Sequence, residues 1–353
     1  MKKLLYGILL AALTVFSVSA ENGAAAEKKS AAKSVKSAKK AVAKKANRVA
    51  KEITYLCSYD NSQQPALLLV AKSKEPRPLF VTLHTWSSEY KQCNGAYAQR
   101  LVAHDVHMIA PNFRGKNTAG NPLSMGSDAA ISDIIDAVKY MQKNYNIDND
   151  RIYLIGGSGG GFMSLLTSSR NRDIWAGVSS WCPISDIVKW HEYYSPAPGS
   201  ARGYGLHIEQ NIGNPQTDEK AKAEAVKRSP VTYLEGVAYP LDISHGLMDR
   251  VVPVEHAIRA FNKVAAPKDR FSEEDIKNIK ARKFSKFPVI KEKLGKSKIY
   301  IRRVSGNVRL TIFHAGHSIM SGVGIQWLLK QQKGKTADFS NINSNEKSAE
   351  LGR

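Results

Sequence analysis

Residues 151–161 constrain the fold of this chain more than any other segment; they read Arg-Ile-Tyr-Leu-Ile-Gly-Gly-Ser-Gly-Gly-Gly. The apolar run at 152–155 has the length of a buried strand, and the glycines after it require a sharp turn. Apolar residues then recur at helical spacing over 162–166. The pattern predicts a strand, a tight elbow and a helix, with the Ser158 hydroxyl presented at the elbow. Glycines suit such an elbow, because the serine backbone is strained and the strand and helix pass close by.

A glycine-rich loop that binds a dinucleotide is the main alternative for this segment. If Gly157 and Gly159 were the first two glycines of such a loop, Phe162 would stand where the third is needed. The segment therefore favours a nucleophile elbow. Because short glycine patterns also occur by chance, the assignment depends on finding a base and an acid elsewhere in the chain.

Two later segments supply those groups. Asp249 comes shortly after the predicted strand at 241–244, and His317 comes shortly after the predicted strand at 310–313. A serine hydroxyl needs a general base, and the base needs a carboxylate that orients it and stabilises its charged form. The order Ser158, Asp249, His317 is the order found in α/β-hydrolases. We therefore predict Ser158 as nucleophile, His317 as base and Asp249 as acid.

Three neighbouring residues are alternatives for the acid and the base. His314 lies in the last turn of the final strand, His245 precedes the acid, and Asp242 lies within a predicted strand. Side chains in a strand interior point into the packing, whereas substrates bind at the carboxyl edge of an α/β sheet. His314 is the strongest of these alternatives.

Strand-like and helix-like patterns alternate along the body of the chain. This alternation predicts an α/β fold with a mostly parallel central sheet covered by helices on both faces. We assign residues 53–330 to a single domain of this kind. The predicted strands are 66–71, 79–83, 107–110, 152–155, 175–180, 241–244 and 310–313, and the clearest helices are 97–102, 128–141 and 254–264.

The first twenty residues have the pattern of a signal peptide. Lys2 and Lys3 precede an apolar run at 4–16, and small residues lead to a cleavage site after Ala20. The run is shorter than the roughly 20 residues that span a bilayer, and no later stretch is long enough. We expect an exported protein, periplasmic or secreted, without a transmembrane anchor.

Two segments carry much of the formal charge of +21. Residues 21–52 contain ten Lys or Arg and three Glu, with almost no large apolar side chains, which predicts a disordered linker. Residues 268–303 contain thirteen Lys or Arg and five acidic residues, and we interpret them as an insertion between acid and base. The rest of the body is nearly neutral and lacks nucleic-acid-binding motifs, so no nucleic-acid partner is expected. The basic linker leaves a non-catalytic alternative, a protein that holds acidic polymers.

The cysteines and the C-terminal end give weaker signals. Export permits one disulfide among Cys57, Cys93 and Cys182, with Cys57 to Cys93 as the candidate pair and Cys182 as an apolar packing residue. The segment 331–353 is polar and predicted to be a disordered tail.

Taken together, the motifs of the body resemble those of the prolyl oligopeptidase family of serine hydrolases, in the form of an isolated catalytic domain. The resemblance spans most of residues 79–329 and implies an α/β-hydrolase fold that needs no metal or cofactor. It is carried by the segments 111–115 (Pro-Asn-Phe-Arg-Gly), 156–160 (Gly-Gly-Ser-Gly-Gly), 228–230 (Arg-Ser-Pro), 245–253 around Asp249, and 316–317 (Gly-His).

One segment departs from the pattern of related hydrolases. Many of them have His-Gly-Gly after the third strand, where backbone N–H groups face the oxyanion, and this chain has His84, Thr85 and Trp86. The N–H groups of Thr85, Trp86 and Gly159 are therefore the candidate oxyanion donors. His84 itself is expected to be structural.

The substrate is less constrained than the reaction centre. Residues 21–52 are too short to form the propeller that restricts large family members to peptides, and single-domain relatives include carbohydrate esterases. We therefore expect an esterase acting on acylated glycans, with a serine-type peptidase of the same family as the alternative. The candidate substrate contacts lie after the predicted strand at 175–180, where they can also be simple packing residues: Trp190, Tyr193 and Tyr194, with Tyr204 and His207 nearby.

Overall fold

One twisted sheet organises the computed structural model, which describes residues 50–196, 203–340 and the backbone of 349–350. In chain order its strands are β1 (Lys51–Leu56), β2 (Gln63–Leu69), β3 (Arg77–Leu83), β4 (His107–Pro111), β5 (Ile147–Gly157), β6 (Gly177–Trp181), β7 (Leu241–Gly246), β8 (Lys293–Leu294), β9 (Ser297–Ser305) and β10 (Val308–Phe313). Their spatial order is β1-β2-β4-β3-β5-β6-β7-β10-β9-β8. The six strands from β4 to β10 in this order are parallel, and antiparallel strands flank them on both sides.

Helices follow the inner strands, and shorter helical turns cover residues 94–104, 172–174, 230–232 and 267–269. A separate two-stranded pairing joins Ser318–Ile319 to Ala349–Glu350. None of the helices in the described ranges is long and apolar enough to cross a membrane. The main helices are Asp128–Asn144, Gly159–Arg170, Ile187–Tyr194, Tyr204–Ile212, Glu219–Lys227, Glu255–Val264, Glu273–Lys280 and Ser321–Leu328.

Alternation along the inner strands produces two hydrophobic cores. In β3, Leu79 and Val81 belong to one buried cluster, whereas Phe80 belongs to the other. In β5, Leu154 belongs to the first cluster and Tyr153 belongs to the second. Because successive side chains of a strand point to opposite faces, each face of the sheet has its own core under a helical layer. The predicted α/β-hydrolase fold is confirmed.

The structure changes two predicted boundaries of the body. β1 begins at Lys51, so the folded part starts before Ile53. At the other end, Phe339 stacks on Trp327 with ring centroids 5.8 Å apart, and the Gln331 side chain bonds to the backbone of Asp338. The predicted start of the tail at 331 is therefore too early. The predicted signal peptide and nearly all of the predicted linker lie outside the described residues.

The basic segment 268–303 is a folded part of the domain. It contains the helix Glu273–Lys280, which begins with a capping box at Ser272, and most of β9. β9 pairs antiparallel with β10 and extends the sheet beyond the strand that precedes His317. The interpretation as a simple insertion missed this strand, because its pattern is masked by lysines and arginines on its exposed side.

The predicted Cys57 to Cys93 disulfide is wrong, because both thiols are free and buried. Cys57 directly follows β1 and contacts the guanidinium of Arg114, with Sγ 3.1 Å from Nη2. Cys93 contacts the Thr82 carbonyl at 3.6 Å and belongs to the core on one face of the sheet. The two side chains thus have different partners. Sequence spacing alone could not show this.

A buried ion pair joins β7 to β10 beneath the site. Arg309 Nε donates to Asp242 Oδ1 at 2.7 Å, and these two residues are direct partners in the parallel register. Their side chains are 5% and 2% exposed, so neither charge is solvated by water. Asp242 is therefore occupied as a structural carboxylate, which removes it as an alternative acid.

Replacing Arg309 by Ala should destabilise the domain by about 3–5 kcal/mol, because the buried Asp242 carboxylate would lose its ion-pair partner. Urea unfolding followed by circular dichroism measures the change. The matched double variant Asp242→Leu/Arg309→Met should recover most of the loss, because no buried charge remains. A loss below about 1 kcal/mol in the single variant would contradict this account.

Candidate active site

The elbow at Ser158 depends on close backbone packing. Ser158 has φ 57° and ψ −122°, a conformation that residues with a side chain rarely adopt, and its N–H donates to the Trp181 carbonyl at 2.8 Å. A Cβ on Gly156 would lie 2.3 Å from the Gly160 oxygen, and one on Gly160 would lie 2.5 Å from the Leu83 oxygen. Larger residues would push strand and helix apart. The glycines therefore allow the elbow to form at the carboxyl end of β5.

Asp249 and His317 meet above the carboxyl ends of β7 and β10. His317 Nδ1 lies 2.7 Å from Asp249 Oδ2, which is hydrogen-bond distance. The other oxygen, Oδ1, accepts from the N–H groups of Val251 and Val252 at 2.8 and 2.9 Å. The carboxylate is thereby fixed, and it orients the imidazole so that Nε2 is available as a base.

Histidine contacts keep this buried acid ionised. Burial opposes ionisation of Asp249, but hydrogen bonds from His245 and His317 outweigh it and hold the pKa of Asp249 well below its usual range. His245 Nε2 lies 3.2 Å from Asp249 Oδ2 and 2.9 Å from the Val252 carbonyl. His245 is thus a neighbour of the acid. The sequence suggests His245 only as an alternative to His317, whereas the structure shows it in contact with Asp249.

His314, the other alternative base, faces the edge strand β9. His314 is exposed, and its Nδ1 lies 2.7 Å from the hydroxyl of Tyr300 on β9. Its backbone N–H donates to the Lys298 carbonyl. His314 therefore interacts with the neighbouring edge strand, whereas His317 contacts the acid.

The loop after β3 brings a second set of backbone groups to the elbow. A Cβ on Gly159 would lie 2.4 Å from the backbone nitrogen of Trp86, so this nitrogen lies directly beside the residue that follows Ser158. The Thr85 N–H is already used, because it donates to Gln92 Oε1 at 2.9 Å. Among the candidate oxyanion donors, the geometry therefore favours Trp86 and Gly159 over Thr85.

Residues of the Pro-Asn-Phe-Arg-Gly segment hold this loop in place. The His84 ring stacks on Phe113 at 3.9 Å and contacts the Asn112 carbonyl through Nε2 at 2.9 Å. Arg114 takes a positive φ of 73° and forms ion pairs with Asp60 and Asp133, at 2.6 and 3.0 Å. Contacts of this kind fix the loop without touching the reacting atoms.

Aromatic side chains pack together next to the loop of Trp86 and form a surface, called here the aromatic wall. Its members are Trp86, Trp190, Tyr193, Tyr194 and Tyr204. Trp190 is fully buried and packs edge-on against Trp86, with centroids 4.7 Å apart, and against Tyr204 at 5.0 Å. Tyr194 is partly exposed and donates to the Val251 carbonyl at 2.8 Å. Tyr193 is 48% exposed and donates to the Arg250 carbonyl. Trp190 therefore packs behind the wall, whereas Tyr193, Tyr194 and Tyr204 are accessible at its surface.

The Arg-Ser-Pro segment, residues 228–230, fixes the helix that carries Trp190. Arg228 donates to the backbone carbonyls of Ser124 and Pro122, at 3.0 and 3.1 Å. The Ser229 hydroxyl accepts from the N–H of Ile187, the first residue of the helix that carries Trp190. The segment thus links the wall helix to the rest of the domain.

Comparisons with known proteins agree with this arrangement. The model of the prolyl oligopeptidase family matches residues 93–276, which is more than half of the chain and includes Ser158 and Asp249. The chain belongs to the prolyl oligopeptidase family. His317 lies beyond the matched residues, so its assignment as base depends on its contact with Asp249.

Relatives within the prolyl oligopeptidase family are distant. Dipeptidyl aminopeptidase BIII of Pseudoxanthomonas mexicana is 27% identical over 50% of this chain and 26% of its own length. The uncharacterized peptidase YtmA of Bacillus subtilis (strain 168) is 27% identical over 42% of this chain and 54% of its length. The chain thus spans about a quarter and about half of these relatives. The acylaminoacyl peptidase of Pyrococcus horikoshii shares the fold, with a TM-score of 0.53 and 16% identity over 83% of this chain and 44% of that chain.

Cys182 is a further neighbour of the triad. It follows β6, takes a positive φ of 44°, and places Sγ 3.1 Å from the Ser318 carbonyl. Burial and the nearby Asp249 carboxylate raise the pKa of the Cys182 thiol well above its usual range. The residue was expected only to pack as an apolar group. Its position directly after a strand of the parallel sheet was the signal that it would reach the site.

Replacing His317 by Ala should reduce turnover about 10⁴-fold, as replacing Ser158 by Ala should, because the members of a triad act as a unit. Hydrolysis of p-nitrophenyl acetate and labelling by a fluorophosphonate probe measure the effect. His314→Ala is the matched control and should retain activity, since His314 faces Tyr300. Loss of labelling in the His314 variant with retention in the His317 variant would reverse the assignment.

Proposed function

We propose that this protein is a serine-type peptidase that hydrolyses amide bonds of small peptides. The observation that carries the proposal is the Asp249–His317 pair, which follows β7 and β10 at the same carboxyl edge of the sheet as the strained Ser158 elbow after β5, in a chain of the prolyl oligopeptidase family. Ser158 Oγ attacks the substrate carbonyl while His317 Nε2 accepts its proton. Asp249 holds Nδ1–H and stabilises the imidazolium that forms.

The developing oxyanion is stabilised by the N–H groups of Trp86 and Gly159. These groups are held in position before the reaction, so they need no reorganisation as the charge develops. His317 then protonates the leaving amine, which lets an amide depart. Water repeats the sequence on the acyl-enzyme and releases the acid. Each step uses side chains or backbone groups of this chain.

The aromatic wall suits the acyl side of a peptide substrate. Tyr194 and Tyr204 are partly exposed. Tyr194 donates to the carbonyl of Val251, whose N–H donates to Asp249, and Tyr204 packs against Tyr194 with ring centroids 5.3 Å apart. A surface of aromatic rings backed by Trp86 and Trp190 favours an apolar side chain next to the scissile bond. Short peptides with such a residue at the cleaved position are therefore the substrates we propose.

The comparisons favour this peptidase alternative over the glycan esterase expected from the sequence. Dipeptidyl aminopeptidase and acylaminoacyl peptidase both appear among the similar proteins, and their names refer to amide substrates. The order of preference is accordingly reversed. The triad geometry also favours an enzyme over a binder of acidic polymers, because such a binder has no use for a strained serine paired with an oriented base.

The choice between amides and glycan esters is tested on one panel. Dipeptidyl and acylaminoacyl p-nitroanilides with apolar residues should be hydrolysed with kcat/KM of about 10⁴ M⁻¹s⁻¹ or more. Acetylated and feruloylated xylan should stay near the background of the Ser158→Ala variant, which is the matched control. Efficient deacylation of xylan, with anilide cleavage at the background of that control, would restore the esterase interpretation and leave the triad unchanged.

We also propose that the enzyme is exported from the cytoplasm, because residues 1–20 have the pattern of a signal peptide. When the full chain is expressed, the mature protein should be recovered from the periplasm or medium with Glu21 at its N-terminus. Cell fractionation and intact-mass spectrometry measure this. Recovery of the unprocessed chain from the cytoplasm alone would contradict export without affecting the proposed chemistry.

A further inference from the structure

Cys182, Asp249 and His317 form a cluster that the hydrolytic mechanism uses only in part. One ligand-type atom from each residue lies within 4.8 Å of the other two. The three residues follow β6, β7 and β10, which are adjacent strands of the parallel block. Cys182 plays no role in the reaction proposed above. A thiol, a carboxylate and an imidazole at one corner are the donor types that bind zinc in proteins.

The spacing of these atoms is close to that of a metal site. With metal–ligand distances of about 2.0–2.3 Å, the ligand atoms of a tetrahedral site lie roughly 3.5 Å apart. His317 Nδ1 and Asp249 Oδ2 are now 2.7 Å apart and would separate slightly around an ion, while Sγ would move toward them. The Ser318 carbonyl, 3.1 Å from Sγ, lies at the same corner, where it or a water can complete the coordination.

We propose that Cys182, Asp249 and His317 form an inhibitory binding site for a thiophilic divalent cation of the zinc class. The Cys182 thiol releases its proton to solvent when the metal–sulfur bond forms. The thiolate and the Asp249 carboxylate together then balance the charge of the cation. The neutral imidazole of His317 supplies the third ligand through the nitrogen that faces Asp249.

Inhibition follows from the tautomer of His317. In the free enzyme Nδ1 carries the proton that faces Asp249, and Nε2 has the lone pair that deprotonates Ser158. A cation on Nδ1 takes the electron pair of that nitrogen, so the proton leaves Nδ1 and a proton is taken up from solvent on Nε2, which keeps the ring neutral. Nε2 can no longer accept the proton of Ser158. Binding also separates Asp249 from the base that it orients.

Burial makes access to the site slow. The Cys182 side chain is fully buried, and the His317 side chain is 9% exposed, so the ion enters past the histidine. We therefore expect inhibition to develop with time and to be reversed by a chelator. The proposal relies on the proposed function only for its activity readout.

Binding is measured first, without any substrate. Cd²⁺ is titrated into the Ser158→Ala protein, and thiolate-to-metal charge transfer is followed by ultraviolet absorption, with one ion expected per chain. The absorption should be lost when Cys182→Ala or Cys182→Ser is added to this variant. It should persist with Cys93→Ala, the matched control, because Cys93 contacts the Thr82 carbonyl at a distance from the triad. Circular dichroism verifies that each variant is folded.

Inhibition by Zn²⁺ is then measured on the active enzyme, with each variant normalised to its own rate without metal. Removing the thiolate ligand should raise the inhibitory concentration at least about tenfold, since losing even an outer contact of a metal site costs 10–100-fold. Charge transfer that persists in both folded Cys182 variants, or equal Zn²⁺ sensitivity with and without Cys182, would overturn the proposal. A protein without peptidase activity that still shows Cys182-dependent Cd²⁺ binding would instead contradict the proposed function alone.

Discussion

The arrangement of the site depends on a single buried carboxylate, that of Asp249. Both of its oxygens are occupied, one by the N–H groups of Val251 and Val252 and the other by His317 and His245. An ionised group without water is stable only when its hydrogen-bonding capacity is filled in this way. The carboxylate therefore fixes the loop after β7 and the loop after β10 relative to each other.

A second constraint lies in the backbone around Ser158. The positive φ of the serine is possible only because Gly156, Gly159 and Gly160 allow main-chain atoms to approach within distances that a Cβ would prevent. The approach also places the backbone of Trp86 against the elbow. One local feature thus positions Ser158, the proposed nucleophile, and a candidate oxyanion donor together, while stacking of His84 on Phe113 stabilises the loop that carries the donor.

The same geometry serves esters and amides, which is why the motif residues constrain the substrate less than they constrain the type of reaction. A serine, an imidazole and a carboxylate perform acyl transfer whatever the leaving group is. The proposed preference for amides relies on the aromatic surface of Tyr194 and Tyr204 and on the family to which the chain belongs. The exposure of these tyrosines and the packing of Trp190 behind them cannot be derived from spacing along the chain.

The sequence by itself determined the α/β class and the order of the inner strands along the chain, and it selected Ser158, Asp249 and His317 as the residues proposed for the triad. These features are local, because an apolar run, a glycine turn and a polar residue after a strand are all visible within a few positions. Tertiary structure decided what depends on contacts between distant segments. It separated Cys57 from Cys93, paired Asp242 with Arg309, directed His314 toward Tyr300, and brought Cys182 to Asp249. It also made β9 part of the sheet, because strand pairing is a property of two segments and its hydrogen bonds leave no pattern in either one alone.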